Sequence, residues 1–233
     1  ERGMPWVTAK IAASIDGRTA MSSGESQWIT SPQSRQDVQR VRAESCAIIT
    51  GIGTQKMDDP LLNVRLNYNE LGASQLPPDF ALRQPLRVVV DSKCEMAISA
   101  RVLKCSGTTM VATVDGALQR RRAEALRSFG AQVEFFDAKD ECVDLQQLLV
   151  YLADIDCNRV LVEAGAVLGG AFMGQGLVDE VICYWAPKLF GSSARPMFDF
   201  SIETIDAHLA LTLKDMRMIG EDIRATFYTD REY

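Results

Sequence analysis

Short apolar runs alternate with amphipathic helical patterns through the middle of this chain, and this alternation restricts its fold more than any other feature. The runs CAIITG, LRVVVDS, TTMVATV and NRVLVEAG are typical of strands buried on both faces, with helical segments such as ALQRRRAEALRSFG between them. Buried strands joined by helices form mostly parallel sheets. The last strand candidates, LVDEVICYWAP, HLALTLKDMRMI and DIRATFYTD, follow one another with little helix. We therefore predict an α/β fold with a mostly parallel sheet, helices on both faces and an antiparallel edge.

The size and charge of the chain argue against several classes of function. Its 233 residues and 47% hydrophobic composition suffice for one large domain. A net charge of −6 argues against a nucleic-acid partner, and no apolar run is long enough to span a membrane. The single histidine, His208, cannot build a histidine-rich metal site, so we expect no bound metal. The six cysteines form no C-x-x-C pair, which favours reduced thiols in a cytoplasmic protein.

Lys10 is a charged residue inside the apolar run PWVTAKIAAS. On a strand, Val7, Ala9, Ile11 and Ala13 share one face, and Lys10 lies on the other with small and polar residues. Burial of an unpaired ammonium group is unfavourable. The lysine therefore either extends from an edge strand to water or points into a cleft that binds a ligand. The apolar neighbours on both sides favour the ligand.

Two glycine-rich turns follow predicted strands, at residues 50–54 (TGIGT) and 163–171 (EAGAVLGGA). Ligands of open parallel sheets bind beyond the carboxyl ends of the strands, where the backbone N–H groups of such turns suit nucleotide phosphates. Neither turn is a complete G-x-G-x-x-G, and a plain strand-to-helix turn or close helix packing explains each nearly as well. The chain contains no G-x-S-x-G, P-loop or zinc-deaminase signature. This pattern is compatible with redox chemistry on a bound nicotinamide cofactor.

Arginines form a further group of candidate binding residues. In the helix expected after Pro32, Arg35, Val38 and Arg42 share one face, and Arg65 follows the turn DDPLLNV. Solvated surface arginines are the ordinary interpretation of such residues. Paired arginines that face a cleft would instead bind a phosphate through forked hydrogen bonds.

Five motifs resemble a known enzyme family when they are taken together. They are AKIAASIDGRTAMSSGESQWITS, DDPLLNVR, RVVVDS, VEAGAVLGGAF and LVDEVICYWAPKLFG, in this order over nearly the whole chain. The chain resembles the reductase domain of the bifunctional riboflavin-biosynthesis deaminase/reductase. The resemblance implies a dihydrofolate-reductase-like fold and NADPH as the cofactor. It also implies reduction of 5-amino-6-(5-phosphoribosylamino)uracil to 5-amino-6-(5-phosphoribitylamino)uracil, with hydride delivered to ribose C1′.

The same resemblance assigns roles to individual residues. Lys10 matches a lysine on the first strand, and we expect it to be catalytic, either as a proton donor or by hydrogen-bonding the ribose hydroxyls. The substrate-contacting positions are Ser26, Arg42, Leu62, Arg65 and Glu163, of which the arginines suit the 5′-phosphate. The cofactor-side positions are Ala12, Trp28, Thr54, Asp58, Ser92, Gly165, Ala166, Val167, Leu168, Gly169, Gly170 and Ala171.

The resemblance also sets expectations for domains and partners. Residues 1–5 match a linker remnant, and residues 6–233 match a single reductase domain without the zinc deaminase domain of the parent chain. That deaminase domain and a second copy of the chain, in a homodimer, are the expected partners. Two alternatives stay open. One is a related reductase of 2,5-diamino-6-ribosylamino-pyrimidinone 5′-phosphate, and the other is a non-catalytic phosphonucleotide-binding module.

Overall fold

The computed structural model describes residues 3–67, 70 and 82–230. The strands are β1 (Trp6–Ser14), β2 (Arg18–Ala20), β3 (Ala47–Gly51), β4 (Leu86–Val90), β5 (Thr109–Val114), β6 (Gln132–Phe136), β7 (Ala138–Lys139), β8 (Cys142–Val143), β9 (Arg159–Val162), β10 (Glu180–Ala186), β11 (Arg195–Pro196), β12 (Leu211–Ile219) and β13 (Asp222–Thr229). The helices are α1 (Pro32–Ala43), α2 (Ile52–Asp58), α3 (Ala117–Ser128), α4 (Leu145–Asp154) and α5 (Ala166–Gly174). Within the described residues, no helix combines the length and the apolar character needed to cross a membrane. Residues 1 and 2 of the predicted linker lie outside the described part, and the domain assignment stays a prediction.

Nine strands form one sheet in the order β12-β13-β10-β1-β9-β3-β4-β5-β6. Neighbours from β10 to β6 are parallel, whereas β13 is antiparallel to both β10 and β12. A tight turn at Gly220 joins β12 to β13, and its φ of 62° suits glycine. Parallel neighbours need longer crossovers instead, which the helices supply. The predicted α/β architecture with a mostly parallel sheet and an antiparallel edge is thereby confirmed.

Different helices cover the two faces of the sheet. On one face, Leu148 of α4 and Phe172 of α5 belong to the larger core cluster. On the other face, Val38 of α1 packs against Ile182 of β10. The apolar face predicted for β1 is buried in the larger cluster and consists of Val7, Ala9, Ile11 and Ala13. Lys10 therefore projects towards the α1 side, as the alternation along the strand predicts.

The helices begin in two different ways. The Ser31 side chain caps α1, and the Asp144 side chain caps α4. In contrast, α2, α3 and α5 begin at Gly51, Gly116 and Gly165, where no side chain caps the helix. The first backbone N–H groups of a helix have no partner within the helix. The uncapped helices follow β3, β5 and β9, so their free donors lie at the carboxyl edge of the sheet.

Candidate active site

Lys10, Arg42 and Glu163 form an ion triad at the carboxyl end of β9. Arg42 donates to both carboxylate oxygens of Glu163, from Nε to Oε1 at 2.6 Å and from Nη2 to Oε2 at 2.9 Å. Lys10 Nζ lies 3.3 Å from Oε2. The side chains of Lys10, Arg42 and Glu163 are only 15%, 10% and 8% exposed. Since β1 is a central strand and its lysine is ion-paired, the edge-strand explanation for Lys10 is wrong.

The triad keeps Glu163 ionised. Burial by itself raises the pKa of the Glu163 carboxyl, but the charges of Arg42 and Lys10, with their hydrogen bonds, lower it to about 2. The folded-state pKa is thus below the ordinary value of 4.5. The triad therefore stabilises the folded chain at pH values above 4.5, and this contribution is lost as the pH falls toward 2.

Asn63 joins the two arginines that are predicted to bind phosphate. Its backbone carbonyl accepts a hydrogen bond from Arg42 Nη1 at 3.1 Å, and its Oδ1 accepts one from Arg65 Nη1 at 3.2 Å. Gln39 Oε1 accepts a hydrogen bond from the backbone N–H of Arg65 at 2.9 Å. Partial burial, followed by the nearby charge of Arg42, lowers the pKa of Arg65. Two guanidinium groups therefore lie near Glu163, and a pair of this kind suits the binding of an anion.

Arg35 is directed away from this pair. Its guanidinium carbon lies 4.4 Å from the centre of the Trp28 ring, in a cation–π contact, and Nη1 donates to the Thr30 carbonyl at 2.7 Å. Lys188 Nζ donates to the carbonyls of Trp28 at 3.1 Å and Ile29 at 2.6 Å. The Trp28 side chain is 64% exposed. The predicted cofactor-side residue Trp28 thus has an exposed side chain, and hydrogen bonds from Arg35 and Lys188 hold its backbone segment in place.

Two other predicted substrate positions have different surroundings. Ser26 donates from Oγ to Asp58 Oδ1 at 3.1 Å, so a predicted substrate position contacts a predicted cofactor position. Leu62 is 2% exposed and packs with Ile48 and Leu161. Its side chain belongs to the core, which leaves its backbone as the part available to a ligand.

The two glycine turns lie side by side. A Cβ added to Gly165 would lie 3.7 Å from Thr54 Oγ1, and one added to Gly51 would lie 3.3 Å from the Leu168 side chain. Val167, on the first turn of α5, is 72% exposed. The uncapped starts of α2 and α5 are therefore neighbours, and an exposed apolar side chain lies beside them.

Close packing explains Gly170 of α5. A Cβ on Gly170 would overlap the backbone of Asp199, with the amide nitrogen at 2.7 Å. The Asp199 N–H also donates to the Ala166 carbonyl at 3.0 Å. Gly170 therefore lets the segment around Asp199 lie against α5. A Cβ on Gly169 would lie 3.5 Å from the Phe198 ring, an ordinary contact distance, and Ala171 packs beside the core.

The remaining cofactor-side positions extend along the same edge. Ala12 is half-buried on β1, beside Tyr184 of β10. Ser92 is the second residue after β4, and its Oγ accepts a hydrogen bond from the Val143 N–H at 3.1 Å. Gly165, Thr54 and Ser92 thus follow three adjacent strands, β9, β3 and β4. They form a row beginning next to the triad.

Comparison with known proteins identifies the family. The family model described as the RibD C-terminal domain matches residues 5–225. This chain belongs to that family. RibD of Escherichia coli (strain K12) is 40% identical to it over 222 residues, covering 95% of this chain and 59% of the relative. The solved structure of Acinetobacter baumannii RibD (form 1) has a TM-score of 0.84 and 38% identity, covering 98% of this chain and 59% of that one.

A solved structure of lower sequence identity has the same fold. The structure of the Saccharomyces cerevisiae riboflavin biosynthesis reductase Rib7 has a TM-score of 0.69 at 17% identity, covering 97% of this chain and 90% of that one. The two RibD proteins are longer, and the present chain spans 59% of each. The family assignment thus covers nearly all of this chain and a part of those relatives.

The sequence did not single out three of the side chains that organise the site. They are Asn63, Gln39 and Lys188. The side chains of Gln39 and Lys188 hydrogen-bond the backbone of other segments, and such partners carry no local signal. The Asn63 side chain bonds Arg65 of its own segment, while its backbone carbonyl bonds Arg42. Asn63 lies inside the motif DDPLLNVR and Lys188 inside LVDEVICYWAPKLFG, and these motifs could have drawn attention to the two residues.

Proposed function

We propose that this chain reduces 5-amino-6-(5-phosphoribosylamino)uracil to 5-amino-6-(5-phosphoribitylamino)uracil with NADPH. The observation that carries the proposal is the buried Lys10–Arg42–Glu163 triad at the start of a row of uncapped glycine turns. Membership of the RibD C-terminal domain family supports the same reaction, since the E. coli relative is named a riboflavin biosynthesis protein. The buried charged triad beside Arg65 argues against the non-catalytic alternative.

The residues along the sheet edge fit a dinucleotide cofactor. Gly165 begins α5 without a side-chain cap, so backbone N–H groups are available to a pyrophosphate. Thr50 Oγ1, at the end of β3, is buried and has no hydrogen-bond partner within the described part of the chain. Gly165, Thr54, Ser92 and the exposed Val167 are the residues that would hold NADPH. When bound, NADPH supplies the hydride that C1′ of the opened ribose accepts.

The triad and its neighbours would position the sugar. Arg42 and Arg65 bind the 5′-phosphate, and Asn63 holds both guanidinium groups in place. Glu163 orients Arg42 and hydrogen-bonds the substrate. Lys10 either hydrogen-bonds the ribose hydroxyls or donates the proton that the imine nitrogen takes up as C1′ is reduced. Fixed charges of this kind act mainly by positioning the reactants and by stabilising charge that develops in the transition state.

An assay with both candidate substrates tests this proposal. We expect NADPH oxidation, followed by absorbance, to depend on the deaminated aminouracil ribosyl phosphate and to be much slower with the diaminopyrimidinone ribosyl phosphate. Chromatography and mass spectrometry of the product should show the ribityl compound. Faster turnover of the diaminopyrimidinone would establish the related reductase, and NADPH binding without substrate-dependent oxidation would establish the binding module.

The greater length of the RibD relatives supports the expected partner domain. A zinc deaminase domain in the same parent chain would produce the deaminated substrate that this chain reduces. The cysteines of the described residues are all free, which supports a cytoplasmic location.

A homodimer is the second expected partnership, and β12 is the surface we assign to it. This edge strand exposes apolar side chains, including Leu211, Leu213, Met216 and Met218, which are 42% to 60% exposed. Exposed apolar patches and unpaired strand edges are typical of association sites.

We expect the double variant Leu213→Asp/Met218→Asp to run as a monomer in size-exclusion chromatography with light scattering, whereas the unaltered chain runs as a dimer. Buried charges without partners oppose association. Val150→Asp, a similar change on α4 at a side chain that is 41% exposed, should leave the dimer intact. A monomeric unaltered chain, or a dimeric double variant, would exclude this interface.

A further inference from the structure

Three cations surround one carboxylate beside Ser92. Lys56 Nζ donates to Glu95 Oε2 at 2.7 Å, and Arg122 Nη1 lies 3.8 Å from Glu95 Oε1. Arg122 Nη1 also donates to the backbone carbonyl of Lys93 at 2.8 Å. The hydrogen bond and charge of Lys56, followed by the charges of Arg122 and Lys93, lower the pKa of Glu95. We call Lys56, Lys93 and Arg122 the basic cluster.

Asp91 holds the turn that presents this cluster. Its backbone carbonyl accepts a hydrogen bond from the Cys94 N–H at 2.9 Å, and its Oδ2 accepts one from the Met96 N–H at 2.7 Å. Asp91 itself is 1% exposed, and burial raises the pKa of its carboxyl. The hydrogen bonds to Asp91 therefore fix the backbone that carries Lys93, while the lysine side chain is exposed.

The basic cluster lies on the row of cofactor-side positions, at the end far from the triad. Lys10 lies on β1 and Glu163 directly follows β9, whereas Ser92 and Lys93 follow β4, two strands beyond β9. Adjacent strands are about 4.8 Å apart, so ~10 Å separates the end of β9 from the end of β4. A dinucleotide with its nicotinamide beside Lys10 and its pyrophosphate at α5 would have its adenosine ribose near the residues that follow β4.

The charges at this end of the sheet favour a dianion. Ser92 and Gln119 are available as polar groups, and Gln119 Nε2 donates to the Ser92 carbonyl at 3.5 Å. The nearby carboxylate of Asp115 is already engaged by Arg120, at 2.6 and 2.7 Å. Within the cluster, three cations face the carboxylate of Glu95, and the charge of Lys56 also acts on the buried carboxyl of Asp91. The cations outnumber these two carboxyl groups in a chain whose net charge is −6.

We propose that Lys93 and Arg122, with Lys56, bind the 2′-phosphate of NADPH and give the site its preference for NADPH over NADH. The inference rests on the proposed function, because that function places the nicotinamide at Lys10. A phosphate monoester carries more than one negative charge at pH 7 and accepts hydrogen bonds from guanidinium and ammonium groups. The 2′-hydroxyl of NADH offers no comparable charge to the cluster.

Nucleotide fragments test the cluster without requiring turnover. Isothermal titration calorimetry measures the dissociation constants of 2′,5′-ADP and 5′-AMP for the unaltered chain and four variants. We expect Lys93→Gln and Arg122→Gln each to weaken 2′,5′-ADP binding about 10-fold or more, as for other charge-assisted hydrogen bonds, and to leave 5′-AMP binding unchanged. Glu95→Gln removes the competing carboxylate and should tighten 2′,5′-ADP binding alone.

Arg121→Gln is the matched control. Arg121 is an exposed arginine of the same helix, next to Arg122 in sequence, and its replacement should leave both dissociation constants unchanged. Equal weakening of both nucleotides, or unchanged 2′,5′-ADP binding in Lys93→Gln and Arg122→Gln, would overturn the proposal. So would an unaltered chain that binds the two nucleotides alike.

The proposed function and this inference fail in distinguishable ways. The ratio of kcat/KM for NADPH to that for NADH is measured on the same proteins. Preferential 2′,5′-ADP binding without reduction of the aminouracil would refute the proposed reaction and support the basic cluster. Equal reduction with both cofactors and equal binding of both nucleotides would refute the basic cluster and support the reaction.

Discussion

Replacement of Lys10 with methionine is expected to lower kcat for the aminouracil substrate by about 100-fold or more, the range for loss of a positioned acid–base group. Methionine is apolar and nearly as long as lysine, so it keeps the side chain packed on β1 but removes the ammonium group beside Glu163. Stopped-flow measurement of NADPH oxidation at saturating substrate gives kcat, and its dependence on substrate gives KM.

The control for this variant is Lys139→Met. Lys139 is exposed on β7, outside the nine-stranded sheet, so the same change there should leave kcat intact. Thermal unfolding shows whether Lys10→Met is folded, and fluorescence titration shows whether it still binds NADPH. A folded Lys10→Met protein with turnover close to that of the unaltered chain would eliminate the catalytic role. A large rise in KM with little change in kcat would assign Lys10 to substrate binding.

Replacement of Gly170 with alanine should destabilise the fold by about 1–3 kcal/mol, which is typical of overpacking. The new methyl group would meet the backbone of Asp199, and backbone cannot move aside as a flexible side chain can. Either α5 or the segment around Asp199 must shift. Because α5 begins beside the predicted pyrophosphate site, we also expect KM for NADPH to rise. Urea unfolding measures the first effect, and steady-state kinetics measures the second.

Gly53→Ala is the stability control for Gly170→Ala. Gly53 also lies in a helix, but an added Cβ would meet nothing within 4 Å. Gly53 is the second residue of α2, so alanine there should not lower the free energy of unfolding and should raise it by at most about 0.5–1 kcal/mol, the difference between glycine and alanine in the middle of a helix. Equal unfolding free energies for Gly170→Ala and the unaltered chain would show that the backbone around Asp199 shifts at little cost in stability. In that case the close approach does not require glycine.

Much of the fold follows from local patterns. The apolar face of β1, from Val7 to Ala13, is buried as its alternation predicts, and Lys10 points to the opposite side. The antiparallel edge also occurs where strand patterns succeed one another without helices. These features depend on residues close together in sequence, so periodicity and turn chemistry suffice to predict them.

The candidate site was only partly predictable. Strand alternation and the resemblance together identified Lys10, Arg42 and Glu163 as binding residues, but neither indicated that they form one ion triad. Arg35 shares the predicted helical face with Arg42, yet it stacks on Trp28 instead. For Gly170, the sequence left two explanations open, a turn that binds phosphate and close helix packing. The contact with the Asp199 backbone favours close packing.

The sequence by itself determined the class of fold, the direction of Lys10 and, through five ordered motifs, the family. Tertiary structure alone decided which charges meet. Arg42 and Glu163 are separated by 121 residues, and they pair because α1 packs over the sheet beside the end of β9. Their contact also lowers the pKa of Glu163 to about 2, a property that neither residue has in isolation. The physical reason is that periodicity is local, whereas the energy of a buried ion pair depends on distances that exist only once strands distant in sequence lie side by side.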